Sequence, residues 1–228
     1  MKLYKLNKTV LSVQNNAARF LNGLTSNTLD RPNNAFLNIH GRVIATFDQI
    51  QIAEDHFLIL IEGPFVEAVL QHIDRYVKLS GTKLEKKDLN VYFDLDNTYS
   101  LSDGEWTIPQ KKGKIIITSK KLDSAVTEEE FLVFRVTHKI PQHGLDYHDE
   151  MLLNISTEDF VSFTKGCYLG QEPISKVYNR SKPTWKLVVR EEDSCTEEER
   201  QKMTSKVANP ATGRIMGFVF VSNKSTSD

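Results

Sequence analysis

The octapeptide Lys165-Gly166-Cys167-Tyr168-Leu169-Gly170-Gln171-Glu172 concentrates a cationic amine, a thiol, two glycines, an amide and a carboxylate in eight positions. Packing alone has little use for that mixture. Thiolate, not thiol, is the reactive form of cysteine, and a nearby cation favours it. Lys165, two residues before Cys167, is therefore a candidate activator, and Cys167 a candidate nucleophile, redox group or transient ligand. The bland readings stand beside these: a buried cysteine acting as a small hydrophobe, and a surface lysine. Glycines at 166 and 170 permit backbone angles and close approaches that other residues resist. Pro173 is tolerated only in a first helical turn, so Gln171 and Glu172 are predicted at a helix start. There Glu172 could orient a ligand amine or accept a hydrogen bond from the helix N-terminus. Lys176 and Arg180, four residues on, share a helix face if the helix continues. They read as an anion-binding pair or as a solvated basic face.

Other chemistries find little support. Cys167 and Cys195 are the only cysteines, with no CxxC, so a local zinc or iron–sulfur motif is not expected. A reducing compartment suits them better than a disulfide framework. His138, His143 and His148 recur every five residues around a proline, a spacing that no helix turns onto one face. No metal site is expected from them. A Cys–His pair with Cys167 would form only in the fold. G-x-S-x-G, phosphate-loop and dinucleotide fingerprints are absent.

The 228 residues suit one large domain or two small ones, and a composition of 39% hydrophobic and 26% charged residues is that of an ordinary globular chain. With a net charge of −1, bulk electrostatics give no pull toward nucleic acid or anionic membrane. The N-terminus lacks a signal-peptide apolar core and no run approaches a membrane span, so a cytoplasmic location is expected.

The elements that must position these residues can be read in order. Leu3–Leu6 and Val10–Val13 are predicted strands, followed by a brief helix near residues 16–21 ended by Gly23. Ala35–Ile39 and Arg42–Ile52 flank His40-Gly41 as a hairpin. Phe57–Ile61 is a strand, and Gly63-Pro64 opens a helix with an apolar face at Phe65, Val69, Ile73 and Val77 that stops at Ser80-Gly81. Residues 83–125 read as short strands and turns, with Val91–Leu95 and Ile115–Thr118 the best strand candidates. Thr127-Glu-Glu-Glu130 is a capping box for a helix over the run 131–136 that stops before Pro141. Thr157 opens a short helix leading to the octapeptide. Trp185–Arg190 is a strand, 191–200 an acidic turn or short helix, and 213–221 the last strand, before a frayed tail.

The octapeptide resembles the K-G-C-[FY]-x-G-Q-E motif of the YgfZ family, folate-binding relatives of the glycine cleavage T-protein. All seven defined positions match. The segment Phe20–Leu29, the hairpin at 35–52 and Arg135-Val-Thr-His-Lys-Ile-Pro141 resemble further family elements in order. His138 and Lys139 replace the Glu/Ala–Gly common in that last element, and Lys176 and Ser181 stand where arginine and glycine are frequent. The resemblance implies an α+β fold: two pseudo-equivalent sheet-and-helix halves around a central cavity, here residues 1–180. A reduced β-barrel-like part is expected at 181–228. It implies tetrahydrofolate or a one-carbon derivative as cofactor. Gly166, Tyr168, Gly170, Gln171, Glu172, Lys176, Arg180 and Arg135 would be binding residues, with the cationic pair toward the glutamate tail. It further implies a role supporting iron–sulfur enzymes or their assembly factors, including a tRNA-modifying one. Two other readings remain open: a folate-dependent aminomethyltransferase of the glycine cleavage type, and a non-catalytic scaffold that kept the cavity.

Overall fold

A computed structural model describes residues 1–223. Its central layer is a five-stranded antiparallel sheet in the order β3-β4-β5-β2-β6, formed by β2 (Lys8–Gln14), β3 (Asn33–Leu37), β4 (Val43–Ala53), β5 (His56–Glu62) and β6 (Lys83–Lys87). Strand side chains alternate between faces, and β5 uses both. Phe57, Ile59 and Ile61 point into one core with Leu11 and Val13 of β2, α1 (Ala17–Leu24) and α2 (Val66–Ser80). Leu58 and Leu60 point into a second core with Val10. Burial on both faces is why β5 reads as a continuous apolar run rather than an alternating one.

That second core is closed by a four-stranded antiparallel sheet in the order β1-β7-β9-β8. Its strands are β1 (Leu3–Lys5), β7 (Asn90–Asp94), β8 (Trp106–Pro109) and β9 (Lys114–Thr118). Helix α3 (Glu128–Thr137) adds Phe131 to the same core. Its start follows the anticipated capping box: the Glu130 N–H donates to Thr127 Oγ1 at 3.2 Å, and the Thr127 N–H to Glu130 Oε2 at 2.8 Å.

The short helices α4 (Leu152–Ile155), α5 (Thr157–Phe160) and α6 (Gln171–Lys176) lead to a third, three-stranded antiparallel sheet, β10-β12-β11. It consists of β10 (Trp185–Glu191), β11 (Thr204–Ala208) and β12 (Ile215–Ser222), with α7 (Glu197–Lys202) between β10 and β11. Leu187, Val207, Met216 and Phe218 pack it onto Leu37, Val43, Val136, Tyr168 and Ile174. The C-terminal sheet thus shares a core with the hairpin and the octapeptide.

Local readings hold with instructive exceptions. Helix α1 runs through Gly23 and ends at Thr25, whose backbone is extended (φ −122°) and whose hydroxyl donates to the Leu21 carbonyl at 2.8 Å. A bridge from Thr25 to Phe36 takes over there, so pairing with β3 stops the helix rather than the glycine. Pro64 sits in the opening 3₁₀ turn before α2, and Gly81 closes that helix at φ 69°. Strand β6 has no burial signal in Lys83–Lys87; its pairing to β2 forms it. Among the described residues no helix is long and apolar enough to cross a membrane.

Candidate functional site

Three charged side chains meet on the face of the central sheet that looks toward the second sheet. Lys8 opens β2, Glu62 ends β5, and the two are cross-strand partners. Asp48 comes from the neighbouring strand β4. Lys8 Nζ lies 2.8 Å from Asp48 Oδ2 and 2.9 Å from Glu62 Oε1. All three are nearly buried, with side chains 8–12% exposed. Two carboxylates hold the Lys8 ammonium and push its pKa well above the usual lysine range, against the opposing effect of burial. Asp48 Oδ1 also accepts from Asn33 Nδ2 at 2.9 Å and Gln110 Nε2 at 3.0 Å. One lysine against two carboxylates leaves the cluster one negative charge in excess.

This cluster floors a cavity of about 110 Å³ between the two sheets, α3 and the 139–147 loop. Phe47, Phe93, Phe131 and Phe160 give it aromatic walls, and Lys111 and Asp159 stand at its mouth, paired at 2.6 Å. The loop is held by Asp146, whose carboxylate is fully buried. It accepts from Arg135 Nη1 and the Gln142 N–H at 2.8 Å, Thr204 Oγ1 at 2.9 Å and Ser205 Oγ at 2.5 Å. The loop is thereby tied to α3 and to β11. His143 stacks on Phe65, ring centroids 3.6 Å apart, and faces Tyr147 at 5.2 Å. Gly144 lies at φ 89°, and a Cβ there would stand 2.8 Å from the Phe65 ring. His143 is buried and its Nδ1 has no hydrogen-bond partner. Burial, with help from His148 and Lys8, lowers its pKa to about 4, so the imidazole is neutral. Tyr147 hydrogen bonds Thr46 at 2.7 Å.

Of the residues singled out from the sequence, Arg135 lines this cavity and the octapeptide does not. The octapeptide divides into two sets. Lys165 Nζ donates to the carbonyls of Thr25 at 2.6 Å and Asn27 at 2.8 Å, and lies 5.3 Å from the Tyr168 ring. Burial lowers its pKa to about 8. Tyr168 is buried beside Leu37 and Ile174, which raises its pKa to about 12. Gly170 sits at φ 84° before α6, where a Cβ would stand 2.5 Å from the Asn38 carbonyl oxygen. These three clasp the Thr25–Asn27 turn and the β3–β4 hairpin. Gln171 is half-buried and starts α6 as anticipated, whereas Gly166, Cys167, Glu172, Lys176 and Arg180 are exposed. After Lys176 the helix continues as a π turn over Val177–Ser181, a geometry that shifts side chains off the α-helical rows. Cys195 is buried, and both cysteines are free.

The clasp and the cavity share a wall. Asn27 Nδ2 donates to the Asp159 carbonyl at 2.9 Å, and Ser26 Oγ to that of Phe160 at 2.6 Å. The octapeptide therefore sets the turn against which the cavity mouth is built. Lys8, Asp48, Glu62 and Gln110 escaped the sequence reading, which named His143 only as one of three histidines not expected to form a metal site. A signal was available for two of them: Asp48 and Glu62 are carboxylates inside or at the end of strands whose other residues are apolar, and buried carboxylates require a partner.

Compared with protein-family models and with curated protein sequences, the chain matches none. Among solved structures it is similar to the crystal structure of glycine cleavage system aminomethyltransferase T from Bartonella henselae. The TM-score is 0.73 at 12% identity, over 97% of this chain and 78% of that one. At that identity the likeness shows a shared fold.

Proposed function

We propose that the cavity over Lys8, Asp48 and Glu62 holds the ring head of a tetrahydrofolate-type ligand. The observation that carries this reading is the cluster's excess negative charge, set between aromatic walls beside a neutral imidazole. A reduced pterin offers a flat bicyclic body and an amino-pyrimidinone edge of N–H donors, which suits acceptor carboxylates. The orphaned His143 Nδ1 is a further polar atom in want of a partner. The fold shared with an aminomethyltransferase and the family-like octapeptide both support the same ligand class. At about 110 Å³ the cavity is smaller than the ~300–1,000 Å³ of pockets that enclose whole drug-sized ligands, so it fits the head alone.

In this reading Glu62 and Asp48 fix the head by accepting its N–H groups, and the Lys8 ammonium bridges the two carboxylates. Asn33 and Gln110 hold Asp48 in orientation. His143, neutral and stacked, offers a hydrogen-bonding ring nitrogen without adding charge. The Arg135–Asp146 pair keeps the loop against the ligand. Tetrahydrofolate, when bound, supplies ring nitrogens that carry one-carbon units. The octapeptide points to the YgfZ-type role of supporting iron–sulfur enzymes, a tRNA-modifying one included, with exposed Cys167 free to meet a partner. The fold favours aminomethyl transfer as the second reading.

Calorimetric titration with tetrahydrofolate and its 5-formyl form, on wild type and Glu62→Gln, tests the ligand. Saturable binding weakened at least tenfold by the substitution is expected. No binding to the wild type ends both folate readings. Turnover of an aminomethyl-lipoyl carrier would select transfer over the accessory role. Loss of iron–sulfur enzyme activity in a Cys167→Ala strain, without such turnover, would select the accessory role.

A further inference from the structure

The net charge of −1 conceals one strongly cationic stretch. From Pro173 to Arg190 the chain has no aspartate or glutamate, but it has Lys176, Arg180, Lys182, Lys186 and Arg190. Arg190 faces Glu199 at 3.7 Å. The other four are exposed and have no ion pair among the described residues, and Glu172, four residues before Lys176, does not pair with it. A row of unpaired cations is by itself an ordinary solvated surface.

The aromatic side chains set this one apart. Among the described residues, the exposed Phe, Tyr and Trp side chains are Phe163, Tyr178 and Trp185, at 38%, 39% and 45%, and all lie in or against this stretch. Tyr178 and Trp185 belong to it, and Phe163 stacks on Tyr178 with ring centroids 3.8 Å apart. Lys182 is fastened to the same ring. Its N–H donates to the Val177 carbonyl at 2.7 Å, its Nζ donates to the Tyr178 carbonyl at 3.2 Å, and the ammonium lies 5.3 Å from the Tyr178 centroid. It does so from φ 62°, a left-handed backbone that strains a residue bearing a β-carbon. Large rings left in water and interleaved with cations make a surface on which bases stack while phosphates meet positive charge. An acidic polypeptide would use the cations and leave the rings idle. A membrane surface would call for a continuous apolar face, whereas polar Asn179, Ser181 and Thr184 stand between Tyr178 and Trp185.

We infer that this face binds single-stranded nucleic acid, its bases on the Phe163–Tyr178 pair and Trp185 and its phosphates on the four unpaired cations. None of these residues lines the cavity, so the inference stands apart from the folate reading.

The experiment follows the fluorescence anisotropy of an end-labelled 12-nucleotide RNA titrated with the full chain. Four phosphate contacts on a single strand give a slope of log K against log salt of about −3, a loss of about 50-fold between 50 and 200 mM salt. Lys176→Gln, Arg180→Gln and Lys186→Gln together should flatten the slope to about −1. Tyr178→Ala should weaken binding at least about fivefold at fixed salt, through lost stacking. Should that variant prove unstable, Lys182→Gly carries the test: it should weaken binding with an unchanged or raised Tm, because glycine suits φ 62°. Bound bases should also quench tryptophan emission, and Trp185→Phe, which keeps a ring, should abolish the quench while retaining most of the affinity. Absence of saturable binding at 50 mM salt overturns the inference, as does a quench that persists in Trp185→Phe. Equal affinity for a 12-base-pair duplex, or binding that ignores both Tyr178→Ala and Lys182→Gly, would leave only a basic patch and also overturn it. Tighter binding of polyglutamate or of vesicles containing phosphatidylglycerol would assign the face to an acidic protein or a membrane instead.

Discussion

The cavity and the octapeptide are the two chemically dense regions of this molecule, and they are built in opposite ways. The octapeptide is contiguous in sequence, yet its side chains part in space. Lys165, Tyr168 and Gly170 turn inward to clasp neighbouring elements, while Gly166, Cys167 and Glu172 face solvent. The cavity gathers Lys8, Asp48, Glu62, Gln110 and His143 from five separate elements or loops into one enclosed space. Density along the chain marks a segment with many constraints. Density in space marks a place where a ligand could be held. Here the first supports the second, through the Thr25–Asn27 turn that Lys165 holds and Asp159 and Phe160 lean on.

The contrast can be broken most sharply at Lys8. Lys8→Met leaves two buried carboxylates without their cation, and removing one partner of a buried ion pair typically costs about 3–5 kcal/mol. Denaturant unfolding should show that loss, and Glu62→Gln in the same chain should recover part of it. A loss under about 1 kcal/mol would mean that water reaches the cluster and that the cavity is no tighter than the surface. Because the folded pKa of Lys8 is raised, its stabilisation is complete below the unfolded lysine value of ~10.4 and fades as pH rises above it.

Gly170→Ala tests the inward half of the octapeptide. Its Cβ would meet the Asn38 carbonyl in a left-handed backbone, and overpacking together with the φ penalty is expected to cost about 2–4 kcal/mol. A thermal scan that found it neutral would undo the clasp.

The cavity wall should also announce itself through pH. His143 has its pKa depressed to about 4, so the unfolded chain takes up a proton near pH ~6.5 that the folded chain refuses. Its contribution is complete above pH ~6.5 and is lost as pH falls toward 4, about 3 kcal/mol in all. His143→Phe keeps the stack on Phe65 and should flatten that slope in stability measured from pH 7 to 4.5. An unchanged slope would place the imidazole in water.

Smallest of all should be Cys167→Ala. The side chain is exposed, so its removal is expected to change stability by less than about 0.5 kcal/mol. A larger loss of stability would show a packing role for the thiol and narrow the difference between the two halves of the octapeptide.

Much of the scaffold was legible before any coordinates. The hairpin at 35–52, the strand at 57–61, the proline-opened helix and the Thr127 capping box are local: turn chemistry, periodicity and capping act over a few residues. The end of α1 was missed because a long-range bridge from Thr25 to Phe36 overrode the glycine. Strands β6 and β8 lie in the stretch 83–125 read as short strands and turns but were not singled out there, because their polar or short sequences become strands only by pairing. In the candidate site, Arg135 was visible and lines the cavity, through its partnership with Asp146 eleven residues on.

What the sequence determined by itself was therefore the set of elements and the segment at 165–172 where constraints accumulate, because those depend on interactions between near neighbours. Which charges meet was decided only by the tertiary structure. Lys8, Asp48 and Glu62 lie on β2, β4 and β5 and become neighbours through the strand order β4-β5-β2. Sheet pairing joins residues at long separations, and no local pattern records which ones. The octapeptide's two faces have the same origin: the packing of Tyr168 and the narrow space at Gly170 decide which of its side chains serve the core and which are left to solvent.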